Sequence, residues 1–538
     1  MAEIKRVFQV DGKPFFPIGG QAKNSSGYNR QEAETAFRAV KAMHGNTLEI
    51  PVYWEQVEPV EGTFVFDSVD ALLALAAEYE LKLVLLWFAT WKNGDMDYAP
   101  TWVKTDQLRF RRVINPLGVP IWGLSPYCQA TRAADARAYA HLMGYLKAHD
   151  TARAVIAIQV QNEPGTLWSD RDYSPETETI FQSAVPAELV QAIAGAPESP
   201  VHAAWQAAGA RAEGNWPELF GRYAGEYLNT YTICRYIDHI AGAGKGVYDL
   251  PMYVNVWLGE QFFRLAGDYP SGGAVSDVLD IWLWTMKHLD LIAPDIYIPY
   301  TAGYRQICAN YTRPENPLFV PESGSMGPNA WQMMYAIGEF NAIGYACFGV
   351  EHILDAEGNV VPPAQHAVDS FRVVREAIPL LLQYQGTGRV HAIAQEENQG
   401  EQYFDLDGWY GVVSFGYGAP SYVGRDWRHA TAGNRRALDP TIPRGRGLLF
   451  QADRNTFYLV GGACQLHLCR KGSWASMTSF TGLRDFHLDR QGHFVTVDEG
   501  HFDAAGEFVV DRRRNGDEID HGAWVEPDVR VVRVVMSD

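Results

Sequence analysis

"AIQVQNEPG", residues 157–165, is the stretch on which the fold turns. An apolar, β-branched run closes on Gln161, Asn162 and Glu163, and a Pro-Gly break follows at once. Near-continuous apolarity suits a parallel strand covered on both faces. Seven other runs share the pattern: "FFPIGGQ" (15–21), "NTLEIPVYW" (46–54), "LKLVLLWFA" (81–89), "MYVNVWLG" (252–259), "LIAPDIYIP" (291–299), "PLFVPESG" (317–324) and "YACFGVEHI" (345–353). Helical spacing fills the gaps. Ala33, Ala36, Phe37, Val40 and Met43 form one stripe that Gly45 stops, and Val69, Leu72, Leu73 and Ala76 form another after Asp67 and Ser68 as N-cap candidates. Ala138, His141, Leu142 and Tyr145 form a third, Pro217 starts a helix ending near Gly242, and a last helix covers about 366–384.

Eight such strands alternating with helices predict an α/β chain, a (β/α)8 TIM barrel over residues 1–384. A doubly wound open sheet would carry a glycine-rich phosphate turn after its first strand, and "PIGGQAKNSSGYN" lacks that spacing. Long excursions at 90–130 and 166–216 follow the third and fourth strands, where barrels build the rim of their sites. From residue 385 the text changes to short alternating segments such as "QYFDLDGWYGVVSFGYG" (402–418) and "DVRVVRVVMSD" (528–538), which predict a smaller antiparallel β-sandwich domain over 385–538.

The chain has 538 residues, a net charge of −19 and six scattered cysteines. The acidic balance disfavours nucleic acid and anionic membranes as partners. No Cys or His spacing suggests a metal, and neither a metal nor a cofactor is expected. The N-terminus lacks an apolar signal core and no run is long enough to span a bilayer, so a cytoplasmic location with reduced thiols is expected. Oligomeric state is left open, with a homo-oligomer compatible with everything read.

Barrels place their chemistry at the C-terminal ends of the strands. Those ends read Gln21 and Asn24; Glu49, Tyr53 and Trp54; Trp87 and Trp91; Asn162 and Glu163; Asn255 and Trp257; Tyr297; Glu322; and Glu351. Glu163 and Glu322 end the fourth and seventh strands, which face each other across a closed barrel. Two carboxyl groups over one ligand are what glycoside hydrolysis needs: one protonates the leaving oxygen, and the other attacks the anomeric carbon or activates water. An ionised Glu322 would hold a nearby Glu163 protonated near neutral pH and give a bell-shaped pH profile.

"QVQNEPG" and "FVPESG" at these two strand ends resemble the hallmark of clan A glycoside hydrolases. "PVYWEQVEPVEGTFVFD" (51–67) resembles the W-x-x-x-E-P-x-x-G-x-F/Y-x-F segment of family 35 and family 42 β-galactosidases, and "YAPTWVK" (98–104) resembles the P-x-W loop of family 35. The resemblance implies a retaining β-galactosidase acting on a β-linked oligosaccharide or glycoside, and closure of a deep pocket by the long 90–130 and 166–216 loops would make it exo-acting. It implies Glu163 as acid/base, Glu322 as nucleophile, Asn162 on the sugar 2-hydroxyl and Tyr297 orienting the nucleophile. Glu49, Asn255, Trp257, Glu351 and Trp91 are further candidates for gripping hydroxyls or stacking on the sugar. Family 35 has "ENEYG" where this chain has "QNEPG", so Gln161 and Pro164 mark where substrate preference is expected to depart.

The alternatives are a β-glucosidase, a β-xylosidase or another clan A glycosidase, and a carbohydrate-binding barrel without catalysis. An enolase-type metal barrel needs carboxylates on three successive strands, and "WFATW" and "NVW" supply none. Trp54, Trp87, Trp91, Trp257 and Trp331 are more often core than sugar platforms, with one or two expected at the site. Trp409 and Tyr410 are read as core of the C-terminal domain.

Overall fold

The computed structural model describes residues 4–260, 264–396, 399–415, 444–471, 492–519, 522–525 and 529–537. The eight predicted runs become eight parallel strands: Ile18–Gln21, Thr47–Tyr53, Lys82–Lys92, Val155–Asn162, Met252–Trp257, Leu291–Ile296, Glu322–Ser323 and Tyr345–Phe348. They are called the first to eighth strands below. A parallel bridge from Val320 to Tyr345 joins the seventh strand segment to the eighth and closes the barrel. The interior is filled by Tyr53, Val84, Leu86, Phe88, Tyr253, Leu291 and Phe319, and Phe8 of the N-terminal segment packs on Phe319. The opposite strand faces join the helices in a second, larger core.

Most helices form where their apolar stripes predict. Arg30–Ala42 is capped by Asn29, whose side chain accepts from the Glu32 N–H. Asp67 is the first residue of the helix Asp67–Tyr79, which lacks a side-chain cap. The helix expected from Pro217 to Gly242 is two helices. Trp216–Phe220 begins in a capping box on Asn215 and ends at Gly221, whose φ of 53° breaks the run before Ala224–Lys245.

After the helix Gln365–Tyr384 the chain makes two antiparallel sheets, of six and four strands. Alternation along the strands joins them to the barrel. Ala392, Leu448 and Phe450 face the barrel core, while Ile393 and Leu449 face the four-stranded sheet. Trp409 is buried between the two sheets, as expected, while Tyr410, next along the same strand, is only partly buried. Residues 416–418, 528 and 538 of the predicted strand segments lie outside the described residues. All six cysteines are buried thiols, none in a disulfide. Among the described residues, no helix is long and apolar enough to cross a membrane.

Candidate active site

The Asn-Glu pair sits on a kink. Gln161 and Glu163 both adopt left-handed backbone, at φ 67° and 43°, on either side of Asn162. Each such residue costs on the order of 1–3 kcal/mol and persists only where its surroundings fix it. Two contacts do so. The Gln161 amide accepts from the Trp91 N–H at 3.0 Å and donates to Asp135 at 2.7 Å, and the Glu163 N–H donates to Asn255 Oδ1 at 2.8 Å. Gly165 beyond the kink packs so closely on Pro270 that a Cβ there would lie 2.5 Å from it.

Gln161 therefore does not face the mouth. Its side chain points into the layer between the barrel and the helix Gln129–His149, where Asp135 also receives hydrogen bonds from Trp87 and Thr90. The expectation that Gln161 shapes substrate preference is corrected on this ground. Burial raises the Asp135 carboxyl to about 6, although its three side-chain donors pull it down. Gln161→Glu would replace a donor with a second buried acid. Two acids sharing a proton have a raised folded pKa, so their stability is present at low pH and lost as pH rises past about 6. The variant is expected to melt near wild type at pH 5 and clearly below it at pH 8, checked by thermal unfolding. An equal loss at both pH values would contradict the account.

Across the mouth, Glu322 lies in register with Asp295 of the sixth strand. Tyr297 donates its hydroxyl to Glu322 Oε2 at 2.8 Å, and the Asn162 and Asn255 amides each reach Oε1 at 3.4 Å. Asn255 also donates to Asp295 Oδ2 at 2.7 Å. Oxygens of Glu163, Asp295 and Glu322 all lie within 4.8 Å of one another. Among the described residues these three acids form the one grouping that could offer a cation three ligands. Lys92 Nζ, nearly buried, donates to Asn162 Oδ1 at 2.8 Å.

Burial and the charge of Glu322 raise the Glu163 carboxyl to about 7, with Lys92 pulling the other way. Burial, then Glu322 and Glu163, push Asp295 well above the usual carboxyl range. Tyr297 is raised by burial and by Glu322, so its hydroxyl stays a donor.

The other candidates divide. Asn255 is at the centre of the network, and strand alternation puts Trp257, partly buried, on the same face. Glu49 is buried inside the barrel, accepts from Tyr253 at 2.9 Å, and is raised mainly by burial. Glu351 lies in the turn Val350–Ile353 and accepts from the Lys23 N–H and the Ser26 hydroxyl, so it fastens the loop after the first strand rather than facing a ligand. Trp91 is not in the mouth either. Its ring packs edge-on against Tyr236 and its indole N–H donates to Leu124. Trp91 lies on the same outward face of the third strand as Leu83, Leu85 and Trp87, while Lys92 has the parity of the inward Val84, Leu86 and Phe88, although the pairing with the fourth strand slips between Trp87 and Lys92. Trp54, Trp87 and Trp331 are core, and Trp257, on the Asn255 face by alternation, also packs partly against that core.

Two residues of the site were not among the expected ones. Lys92 closes a strand that the sequence reading ends at Ala89, and its charge is the overlooked signal. Asp295 stands two residues before Tyr297, and that spacing alone puts both on one strand face.

Residues 368–526 match a family model described as a domain of unknown function, DUF5597. A β-galactosidase from Xanthomonas manihotis is 25% identical over 193 residues, which is 33% of this chain and 28% of that protein. The chain thus matches under a third of that relative's length. Two solved structures are similar at low identity. The catalytic domain of a β-amylase from Paenibacillus polymyxa has a TM-score of 0.49 at 12% identity, covering 68% of this chain and 98% of that one. A β-galactosidase from Bacillus circulans sp. alkalophilus has a TM-score of 0.47 at 13% identity, covering 68% and 56%.

Proposed function

We propose that the chain is a retaining, exo-acting β-glycosidase, with a β-galactoside as its first candidate substrate. The observation that carries this reading is the pairing of Glu163 and Glu322 at facing strand ends, with carboxyl oxygens within 4.8 Å. Retaining enzymes hold their two carboxyl groups about 5–5.5 Å apart, whereas inverting ones leave about 6.5–9.5 Å for a water. The spacing supports the retaining class.

In this reading Glu322, aimed by Tyr297, attacks the anomeric carbon while Glu163 gives its proton to the leaving oxygen. Glu163, then ionised, takes a proton from the water that releases the sugar. A carboxyl near pKa 7 can serve in both directions at neutral pH. Asn162, fixed by Lys92, is placed to donate to a hydroxyl next to the anomeric carbon, a contact that strengthens as charge develops. The local similarity to a β-galactosidase supports galactose as the first sugar to test. The long segments after the third and fourth strands favour exo action.

A panel of aryl β-galactoside, β-glucoside and β-xyloside, followed by proton NMR, tests the reading. Release with the β-anomer formed first is the expected result. An α-anomer first would remove Glu322 from the nucleophile role. No release from any sugar, with binding retained, would favour a carbohydrate-binding barrel.

A further inference from the structure

The mouth holds three acids, and the reaction proposed above uses two. The third, Asp295, is 3% exposed. The groups facing it come from every side of the barrel. Glu163 ends the fourth strand, Asn255 lies on the fifth, Glu322 on the seventh, Lys92 on the third, and Tyr297 follows two residues on. Their hydrogen bonds leave one gap. Asn255 donates to Asp295 Oδ2 at 2.7 Å, but no N–H or hydroxyl among the described residues reaches the buried Oδ1. Lys92 is turned to Asn162 and Asn93, and the Tyr297 hydroxyl to Glu322. A buried anionic oxygen without a protein donor is costly. A proton on Oδ1 removes that cost and makes the atom a donor, and an oxygen of the Glu163 carboxyl lies within 4.8 Å of the Asp295 carboxyl as its candidate acceptor.

We propose that Asp295 is a positioning residue that works as a neutral acid, donating a hydrogen bond from Oδ1 to Glu163. The inference rests on the glycosidase reading above. It gives Glu163 one oxygen held in place and one turned to the glycosidic oxygen. Burial and the charges of Glu322 and Glu163 both favour the proton on Asp295. The hydrogen bond favours the ionised form of Glu163, so it tempers the rise that burial and Glu322 impose there.

The test is the pH profile of kcat/KM for the full chain and two variants, on whichever aryl β-glycoside wild type cleaves. In Asp295→Asn, the amide oxygen accepts from Asn255 and the amide nitrogen donates to Glu163, which reproduces the neutral acid. Its alkaline limb is expected to coincide with wild type. Asp295→Ala loses the donor, so the limb moves to higher pH and turnover falls about 10–100-fold through misplacement of Glu163. An ionised Asp295 predicts otherwise, since Asp295→Asn would remove a negative charge and move the limb to lower pH. A downward shift in that variant, or no shift in Asp295→Ala, overturns the proposal. Infrared difference spectra give a second measurement that needs no turnover. In the wild-type minus Asp295→Asn difference spectrum, where the buried Glu49 carboxyl common to both proteins cancels, a protonated-carboxyl band should remain above the alkaline limb, and its absence overturns the proposal. A wild-type protein that cleaves none of the panel, or forms the α-anomer first, refutes the glycosidase reading instead, and the infrared band still reports on Asp295.

Discussion

Glu322→Gly is expected to lower turnover of an aryl β-galactoside by on the order of 10⁵-fold, the scale of losing a covalent nucleophile. Folding should survive. The change removes one of three crowded acids, and Tyr297, whose bond to Glu322 is only part-buried, can turn its hydroxyl to water. Thermal unfolding should therefore stay close to wild type. The decisive measurement is rescue by azide. The small anion fits the space left by the carboxylate and attacks from the face that Glu322 occupied. With a β-glycoside whose leaving group is good, the product is an α-glycosyl azide. Turnover near wild type, or a β-azide, would show that Glu322 is not the nucleophile.

The barrel was legible because a parallel strand covered on both faces must be apolar along its length, and the chain writes eight such runs. Positions within strands were less so. Glu322 and Asn255 could be placed because simple alternation holds through their strands. Trp91 could not, because alternation groups it with Leu83, Leu85 and Trp87 but, in a strand apolar on both faces, does not say which face turns inward. Glu351 falls in a turn beyond its strand, where alternation no longer says which way a side chain points. Gln161 was misread for a similar reason, since its left-handed backbone turns it out of the strand's alternation and toward Asp135. The roles of Lys92 and Asp295 depend on partners on other strands, Asn162 for one, 70 residues away, and Glu163 and Glu322 for the other. No local pattern contains that pairing. The same applies to protonation. Whether a carboxyl keeps its proton depends on burial and on the charges around it, which appear only once the strands are side by side.

Glu163→Ala should separate the two halves of the reaction. Three donors aim at the Glu322 carboxylate, the Tyr297 hydroxyl and the amides of Asn162 and Asn255, which suits a group that must be an anion when substrate arrives. Glu163 has a buried carboxyl facing that anion, which suits a group that must carry a proton. Loss of the acid is expected to cost about 10²–10⁴-fold on glycosides with poor leaving groups. A dinitrophenyl glycoside needs little protonation, so its first step should remain fast. Without a base to activate water, the glycosyl-enzyme should then accumulate and appear as a burst followed by slow release. Azide, which needs no base, should restore turnover and give a β-glycosyl azide, the opposite anomer to that from Glu322→Gly. The pH profile supplies an independent check. Protonated Glu163 is the active acid, so wild-type kcat/KM should fall as pH rises through about 7. That limb should be missing from the variant. An alkaline limb that persists in Glu163→Ala, together with full activity on poor leaving groups, would assign the acid to another residue, and Asp295 is then the carboxyl placed to be it.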